Sequence, residues 1–243
     1  MSNSKKNKSK ITISLVLIVR NERASSSALF SKLPLKSVDD VYVIDGNSTD
    51  GTQNFFKKKR IKVYEQTIKG LGEATFEARK QCKTKAMIFF HPDGNEDPKD
   101  IKKVAELLRA GHQFVIPSRM IKGAWNEEDS KFFKPRKWVN QMLASLANFL
   151  FNHTKSYVSE IVQGFRGINL ESYDRLALDK SDCTIDFQMV IRAMKNKVQI
   201  TEFPTREGHR LFGETNFKSW ETGKLELKML IREIFDLATY PKL

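Results

Sequence analysis

Three clusters of polar residues follow apolar runs and carry side chains able to bind anions, hold a cation or move a proton. They are Asn21-Glu22 behind ITISLVLIV (11–19), Asp45-Gly46-Asn47-Ser48-Thr49-Asp50-Gly51-Thr52 at the end of VYVID (41–45), and His91-Pro92-Asp93-Gly94-Asn95-Glu96-Asp97 at the end of AMIFFH (86–91). An imidazole and a carboxylate two residues apart, His91 and Asp93, can offer nitrogen and hard oxygen to a divalent cation that carries a diphosphate. Arginine is the other residue type of interest, since guanidinium forks match phosphate oxygens. Each feature also has a plainer reading on its own. Residues 45–52 suit a turn in which Asn and Asp satisfy their own backbone and Asp50 caps the next helix, and a single Arg is usually a solvated surface group.

Several familiar chemistries are absent. The first apolar run leads into RNERASS, so no G-x-G-x-x-G opens a dinucleotide-binding crossover, and no G-x-x-x-x-G-K-[ST] occurs anywhere. The glycines of KGLGEA (69–74) fit neither phosphate cradle, and there is no G-x-S-x-G or H-E-x-x-H. Cys82 and Cys183 are too few for a disulfide framework or a Cys-based zinc site and read as thiols in a reducing compartment.

The elements that must position these groups follow a simple rhythm. ITISLVLIV, VYVID, IKVYE (61–65), AMIFFH and FVIPS (114–118) read as strands, with helix-like segments near 24–32, 51–59, 72–83 and 98–110 between them. That alternation predicts an α/β fold with a mostly parallel sheet flanked by helices, in which ligands bind beyond the carboxyl ends of the strands. The three polar clusters then meet in one crevice. For the helix at 98–110, Asp97 is the expected cap, Pro98 suits the first turn, and Gly111 ends it.

Residues 119–137 break the rhythm with a charged stretch, read as a lid or a disordered insert. A helix over 138–151, a turn at QGFRGI (163–168), a helix near 185–195, the strand VQITEFP (198–204), a basic loop over 205–216 and a last helix over 219–238 complete the chain. No repeat or linker divides it, so the expected organisation is a basic disordered tail over 1–10, one domain over 11–218 and a C-terminal amphipathic helix over 219–243.

The 243 residues include 42 Lys and Arg against 29 Asp and Glu, a net charge of +13 that points to an anionic partner. Nucleic acid is not expected, because no nucleic-acid-binding motif is present and the aromatics, 17 Phe among them, sit mostly in apolar patterns. No apolar stretch approaches the roughly 18–20 residues that span a bilayer. The basic start followed by a short apolar run imitates a secretory signal, but Arg20, Asn21, Glu22 and Arg23 follow at once with no small-x-small cleavage site, which favours a buried strand.

Taken together, the motifs resemble the inverting glycosyltransferases of family 2, which have a GT-A fold, and within them the dolichyl- or polyprenyl-phosphate sugar synthase branch. VIDGNSTDGT (43–52) is similar to V-D-D-x-S-x-D-G-T, KGLGEA to G-L-G-x-A, and HPDGNEDP (91–98) to D-A-D-L-Q-H-P-P. FVIPSRMIKG (114–123) is similar to F-V-I-G-S-R-Y-x-x-G, VQGFRGI (162–168) to T-S-G-F-R-A, and EFPTREGHRLFGETNF (202–217) to E-V-P-I-x-F-x-x-R-x-x-G-x-S-K. The likeness spans about residues 11–217. It implies that Asn21, Glu22, Asp45, Ser48, Gly72 and Arg119 serve the nucleotide-sugar pocket, with Asp45 on the base. It further implies that Asp93, with His91, serves a Mg2+ or Mn2+ site, that Arg166 and Arg210 bind the acceptor phosphate, and that Asp93 and Arg210 are the catalytic pair. His91 stands where the branch has the first Asp of D-x-D, Gly46 replaces the second Asp of D-D, and Thr215-Asn216 replaces Ser-Lys.

The expected activity is metal-dependent transfer of a hexose, with inversion, from a nucleotide diphosphate sugar of the GDP-mannose or UDP-glucose type to a polyprenyl or dolichyl phosphate. Transfer to a hydroxyl of a glycan or glycolipid is the alternative, with Glu160 or Asp186 as base. A basic nucleic-acid-binding protein and a catalytically lapsed nucleotide-sugar-binding module are the non-enzymatic ones. The expected location is cytoplasmic. Apolar Leu227, Leu230, Ile231, Ile234, Phe235 and Leu237, with Lys224, Lys228 and Arg232 among them, fit either a helix packed on the domain or one lying peripherally on an anionic membrane.

Overall fold

The computed structural model describes residues 11–154, 156–180, 182–213 and 219–235. The basic tail, Thr215-Asn216 and the end of the last helix lie outside the described residues. Seven strands form one sheet: β1 (Ile13–Val19), β2 (Asp40–Asp45), β3 (Lys62–Glu65), β4 (Ala86–Phe90), β5 (Phe114–Ser118), β6 (Arg166–Asn169) and β7 (Ile200–Pro204), in the order β3-β2-β1-β4-β6-β5-β7. Every pairing is parallel except those of β6, which runs antiparallel between β4 and β5.

The sheet is covered on both faces, which explains why its central strands read as continuous apolar runs instead of alternating ones. Leu15, Leu17, Val43, Ile88 and Phe90 face one layer, where Phe56 of α2 (Thr52–Lys58) and Ile101, Val104 and Leu108 of α4 (Asp100–Arg109) are buried. The alternate residues Val16, Tyr42, Ile44, Met87 and Phe89 face the other. That second layer holds α3 (Leu71–Gln81), α5 (Pro135–Phe151), α7 (Ile185–Lys195) and α8 (Ser219–Phe235). Two shorter helices, α1 (Arg23–Leu29) and α6 (Leu170–Arg175), follow β1 and β6.

Several expectations shift. The turn expected at 163–168 runs into β6, whose four residues, Arg-Gly-Ile-Asn, are too few to show a period. Gly167 belongs there because a Cβ would lie 2.4 Å from Val104 Cγ1, so only glycine lets α4 pack so closely. Asp97 does not cap α4 directly. Its Oδ1 accepts from the Lys99 amide at 3.0 Å, and the helix begins at Asp100, while Gly111 follows its end at φ +102°. The stretch 119–137 is a folded loop. Asn126 Nδ2 and the Glu127 amide both donate to Glu207 Oε2, at 2.7 and 3.0 Å, and Pro135 starts α5 three residues earlier than expected. α8 packs on the domain: Met229 and Leu230 are buried, and the wholly buried Glu233 accepts from Arg192 Nε at 2.9 Å and Lys195 Nζ at 2.7 Å.

Candidate active site

A cavity of about 460 Å³ opens at the carboxyl ends of the parallel strands. Arg20 and Glu22 enter it behind β1, Gly46 behind β2, Gln66 behind β3, His91 and Asp93 behind β4, and Arg119 behind β5. Because β6 runs the other way, the loop before it, with Gln163 and Gly164, joins the same rim. Glu207 and Arg210, behind β7, close the side facing Asp93.

The centre of the cavity is a charge cluster. Arg210 bridges two carboxylates, donating from Nη1 to Asp93 Oδ2 at 3.0 Å and from Nη2 to Glu22 Oε1. Backbone packing holds it there: the Gly208 amide donates to Asn95 O at 2.8 Å and the Leu211 amide to Asp93 O at 2.9 Å. A Cβ at Gly208 would stand 2.2 Å from Gly94 O, so the two loops meet this closely only through glycine. Asp93 is tied to its own turn, its Oδ1 accepting from the Asn95 amide at 3.0 Å. Burial raises the pKa of Glu22, against the opposing pull of Arg210.

His91 is held by Glu96, with Nδ1 and Oε1 2.9 Å apart, and Glu96 Oε2 also accepts from the His91 amide at 2.7 Å. Burial alone would lower the imidazole pKa, but Glu96, aided by Asp186 and Asp93, outweighs it and pushes it up to about 9. The pairing with Glu96 thus favours the protonated ring and occupies Nδ1. Gly164 packs against the ring, since a Cβ there would lie 2.4 Å from His91 Cε1.

Arg119 also lines the cavity, but two carboxylates share its charge. Nε and Nη2 donate to Glu160 at 2.9 and 3.0 Å, and Nη1 donates to Glu207 at 2.5 Å.

Other residues singled out in the sequence stand away from the cavity. Arg166 is wholly buried and its guanidinium donates to the carbonyl oxygens of Asp186 and Gln163, so it braces the rim from within the core and does not face a phosphate there. Asp45 is also fully buried, its Oδ2 accepting from the Ser48 amide and Gln53 Nε2, both at 2.8 Å, which places it beneath the wall instead of against a base. Ser48 Oγ accepts from the Asn21 amide at 2.8 Å, and Asn21 Oδ1 from the Thr49 amide at 2.8 Å. Asn21 and Ser48 thus lace the loops after β1 and β2 together. Gly72 is buried in the first turn of α3, next to the lining residues Gly70, Leu71 and Ala74. Sequence reasoning missed Gln66, Lys69, Arg136 and Glu207. Gln66 follows a strand end, the one signal that could have singled it out.

A divalent cation that shares a diphosphate needs only one or two protein carboxylates. Asp93 and Glu22, on one wall and both within reach of Arg210, fit that requirement; among the described residues no group of three or more His, Cys, Asp or Glu side chains forms a ready cage.

The sequence profile of glycosyl transferase family 2 matches residues 14–176, about two thirds of the chain. The chain belongs to that family. Its relatives include an uncharacterised protein of Methanocaldococcus jannaschii, 26% identical over 92% of this chain and 93% of that one. A dolichol-phosphate mannosyltransferase of Pyrococcus furiosus is 25% identical over 85% of this chain, and glycosyltransferase AglJ of Haloferax volcanii 24% identical over 76%. The matched region spans 59% of the length of each of these two. Among solved structures, glucosyl-3-phosphoglycerate synthase from Mycobacterium tuberculosis, in complex with Mn2+, uridine-diphosphate-glucose and phosphoglyceric acid, superposes with a TM-score of 0.72 at 18% identity, over 96% of this chain and 81% of that one. That likeness is one of fold, and the fold of this family 2 glycosyltransferase is GT-A.

Proposed function

We propose that this glycosyltransferase moves a hexose from a nucleotide diphosphate sugar, of the GDP-mannose or UDP-glucose type, to a polyprenyl or dolichyl phosphate with inversion at the anomeric carbon. The observation that carries the reading is the convergence of Arg210, His91, Lys69, Arg20 and Arg136 around Asp93 and Glu22 in one cavity at the strand ends. Such a surround suits a donor diphosphate and an acceptor phosphate bound side by side. The name of the Pyrococcus relative supports the lipid phosphate as acceptor.

In the reaction an acceptor oxygen attacks the anomeric carbon opposite the diphosphate, and the bond from that carbon to the diphosphate oxygen breaks. Asp93, with Glu22 beside it, would hold Mg2+ or Mn2+, which when bound neutralises the leaving diphosphate. Arg210, released from the carboxylates, would take an acceptor or donor phosphate, with the protonated form of His91 facing the same charge. A phosphate acceptor, with a second pKa of about 6, is largely ionised at neutral pH and needs no protein base.

A hydroxyl acceptor is the second reading, favoured by the carboxylate of Asp186 on the cavity wall at the start of α7. Glu160, fully buried on Arg119, is not placed to be a base. The chain would act in the cytoplasm, at the membrane face where a lipid-linked acceptor is presented.

The test is a panel of nucleotide sugars screened by thermal shift with Mg2+ or Mn2+, followed by transfer of labelled hexose to polyprenyl phosphate. Transfer that Asp93→Ala abolishes is the expected result. Donor binding without transfer to any phosphate or hydroxyl would favour a lapsed binding module, and transfer to hydroxyls alone, lost in Asp186→Asn, would replace the phosphate acceptor.

A further inference from the structure

α5 is apolar on two opposite sides. Leu143, Ala144, Ala147 and Phe151 bury one side in the core. Trp138, Val139, Met142, Leu146 and Phe149 fall on the other, and all are exposed, Phe149 at 86%. A helix lying on a water-soluble surface places polar residues there. Here no charged residue occurs from Trp138 to Asn152, in a chain that is 29% charged. Just before the helix Phe132 is fully exposed and Phe133 stacks edge-on against Trp138 at 5.0 Å between ring centroids. Lys131, exposed, lies next to Phe132 in the chain, while Lys134 and Lys137 pair with Asp129 and Arg136 with Glu127 beside these aromatics.

We propose that this face, Phe132 and Phe133 with the outer stripe of α5, docks on an anionic phospholipid bilayer. Aromatic rings beside basic side chains are the chemistry of the bilayer interface, where apolar groups enter the acyl boundary and cations meet lipid phosphates. The net charge of +13 complements such a surface and would repel a second copy of the chain. Position gives the contact a use: Arg136, in the first turn of α5, also lines the cavity. The helix therefore starts at the cavity rim, and a membrane under α5 brings lipid phosphates to the same level. The docking surface stands on α5 itself, and only its purpose rests on the proposed lipid-linked acceptor. It also moves the membrane contact from the C-terminal helix, where the sequence suggested it, although α8 exposes its own stripe of Leu227, Ile231 and Phe235.

The experiment is flotation of the full chain with vesicles of phosphatidylcholine alone or mixed with phosphatidylglycerol, at low and high salt. Binding to the mixed vesicles, weakened by salt and reduced at least about tenfold in Phe132→Ser/Phe149→Ser and in Met142→Ser, is the expected result. The substituted side chains are exposed, and matching melting temperatures verify that the variants fold. Failure of the wild type to float, or variants that float like it, would overturn the proposal, as would loss confined to Ile231→Ser/Phe235→Ser. Sedimentation that shows a dimer broken by the α5 variants, with no vesicle binding, would assign the face to a second copy and overturn it equally. Transfer to a short, water-soluble prenyl phosphate is measured in parallel. Intact transfer without docking sinks the docking alone, and docking without transfer to any prenyl phosphate sinks the acceptor reading alone.

Discussion

In the proposed reaction the site chemistry turns on Asp93. Asp93→Asn keeps the size of the side chain and an oxygen for the Asn95 amide but removes the charge that faces Arg210 and would hold a cation. Hexose transfer should fall by at least about a hundredfold, the range seen when one transition-state contact is lost, while the melting temperature stays close to wild type. Labelled-sugar transfer and calorimetric titration of nucleotide with Mn2+ measure this, and near-native turnover would remove Asp93 from the reaction. The sequence made Asp93, Glu22, His91, Arg119 and Arg210 legible as a set because each follows an apolar run or sits in a motif in register. Arg166 and Asp45 were expected at the pocket from the motif resemblance, and a motif position does not reveal that both side chains are fully buried. Arg136 and Glu207 were invisible for another reason: both reach the cavity from loops or helix starts whose path only tertiary packing fixes.

At the level of elements, the loop after β7 matters because it places Arg210. Gly208→Ala would push a Cβ against Gly94 O and separate the two loops. Turnover should drop about tenfold or more with little change in the unfolding midpoint, because the damage is to registry at the rim and not to the core; unchanged kinetics would show that the loop yields harmlessly. α8 offers the opposite case. Glu233→Gln leaves Arg192 and Lys195 facing a neutral partner in a buried position and should cost about 3–5 kcal/mol in urea unfolding, with catalytic constants of the folded fraction preserved. A loss under about 1 kcal/mol would mean that the network rearranges. The strands with β-branched or aromatic runs could be read from sequence. β6 could not: with a Gly and an Asn among four residues it has no pattern of its own, and its antiparallel place is imposed by β4 and β5.

For the molecule as a whole, one route by which pH reaches stability is the seam between α7 and α8. Burial, with Asp186 nearby, raises the Glu226 carboxyl from an ordinary 4.5 to about 7. The native state thus keeps a proton that the unfolded chain releases, so this contribution is fully present below about pH 4.5 and is lost as pH rises through 7. Thermal melts should show stability falling between pH 5 and 8, and Glu226→Gln should flatten that fall, gaining on the order of 1–2 kcal/mol at pH 8. Parallel curves for the two proteins would assign the slope to other groups. The antiparallel β6 has a consequence of a different kind, in how the chain is made. Strands β3, β2, β1 and β4 are complete once residue 90 has been synthesised, but β5 does not pair with β4 in the native sheet, whose order needs β6 at Arg166–Asn169 between them. At about 5–20 residues per second, the apolar edge of β4, Ala-Met-Ile-Phe-Phe, stays open for roughly 4 to 15 seconds on the ribosome. That interval is when the nascent chain is most exposed to pairing with a neighbour, and slower elongation would lengthen it.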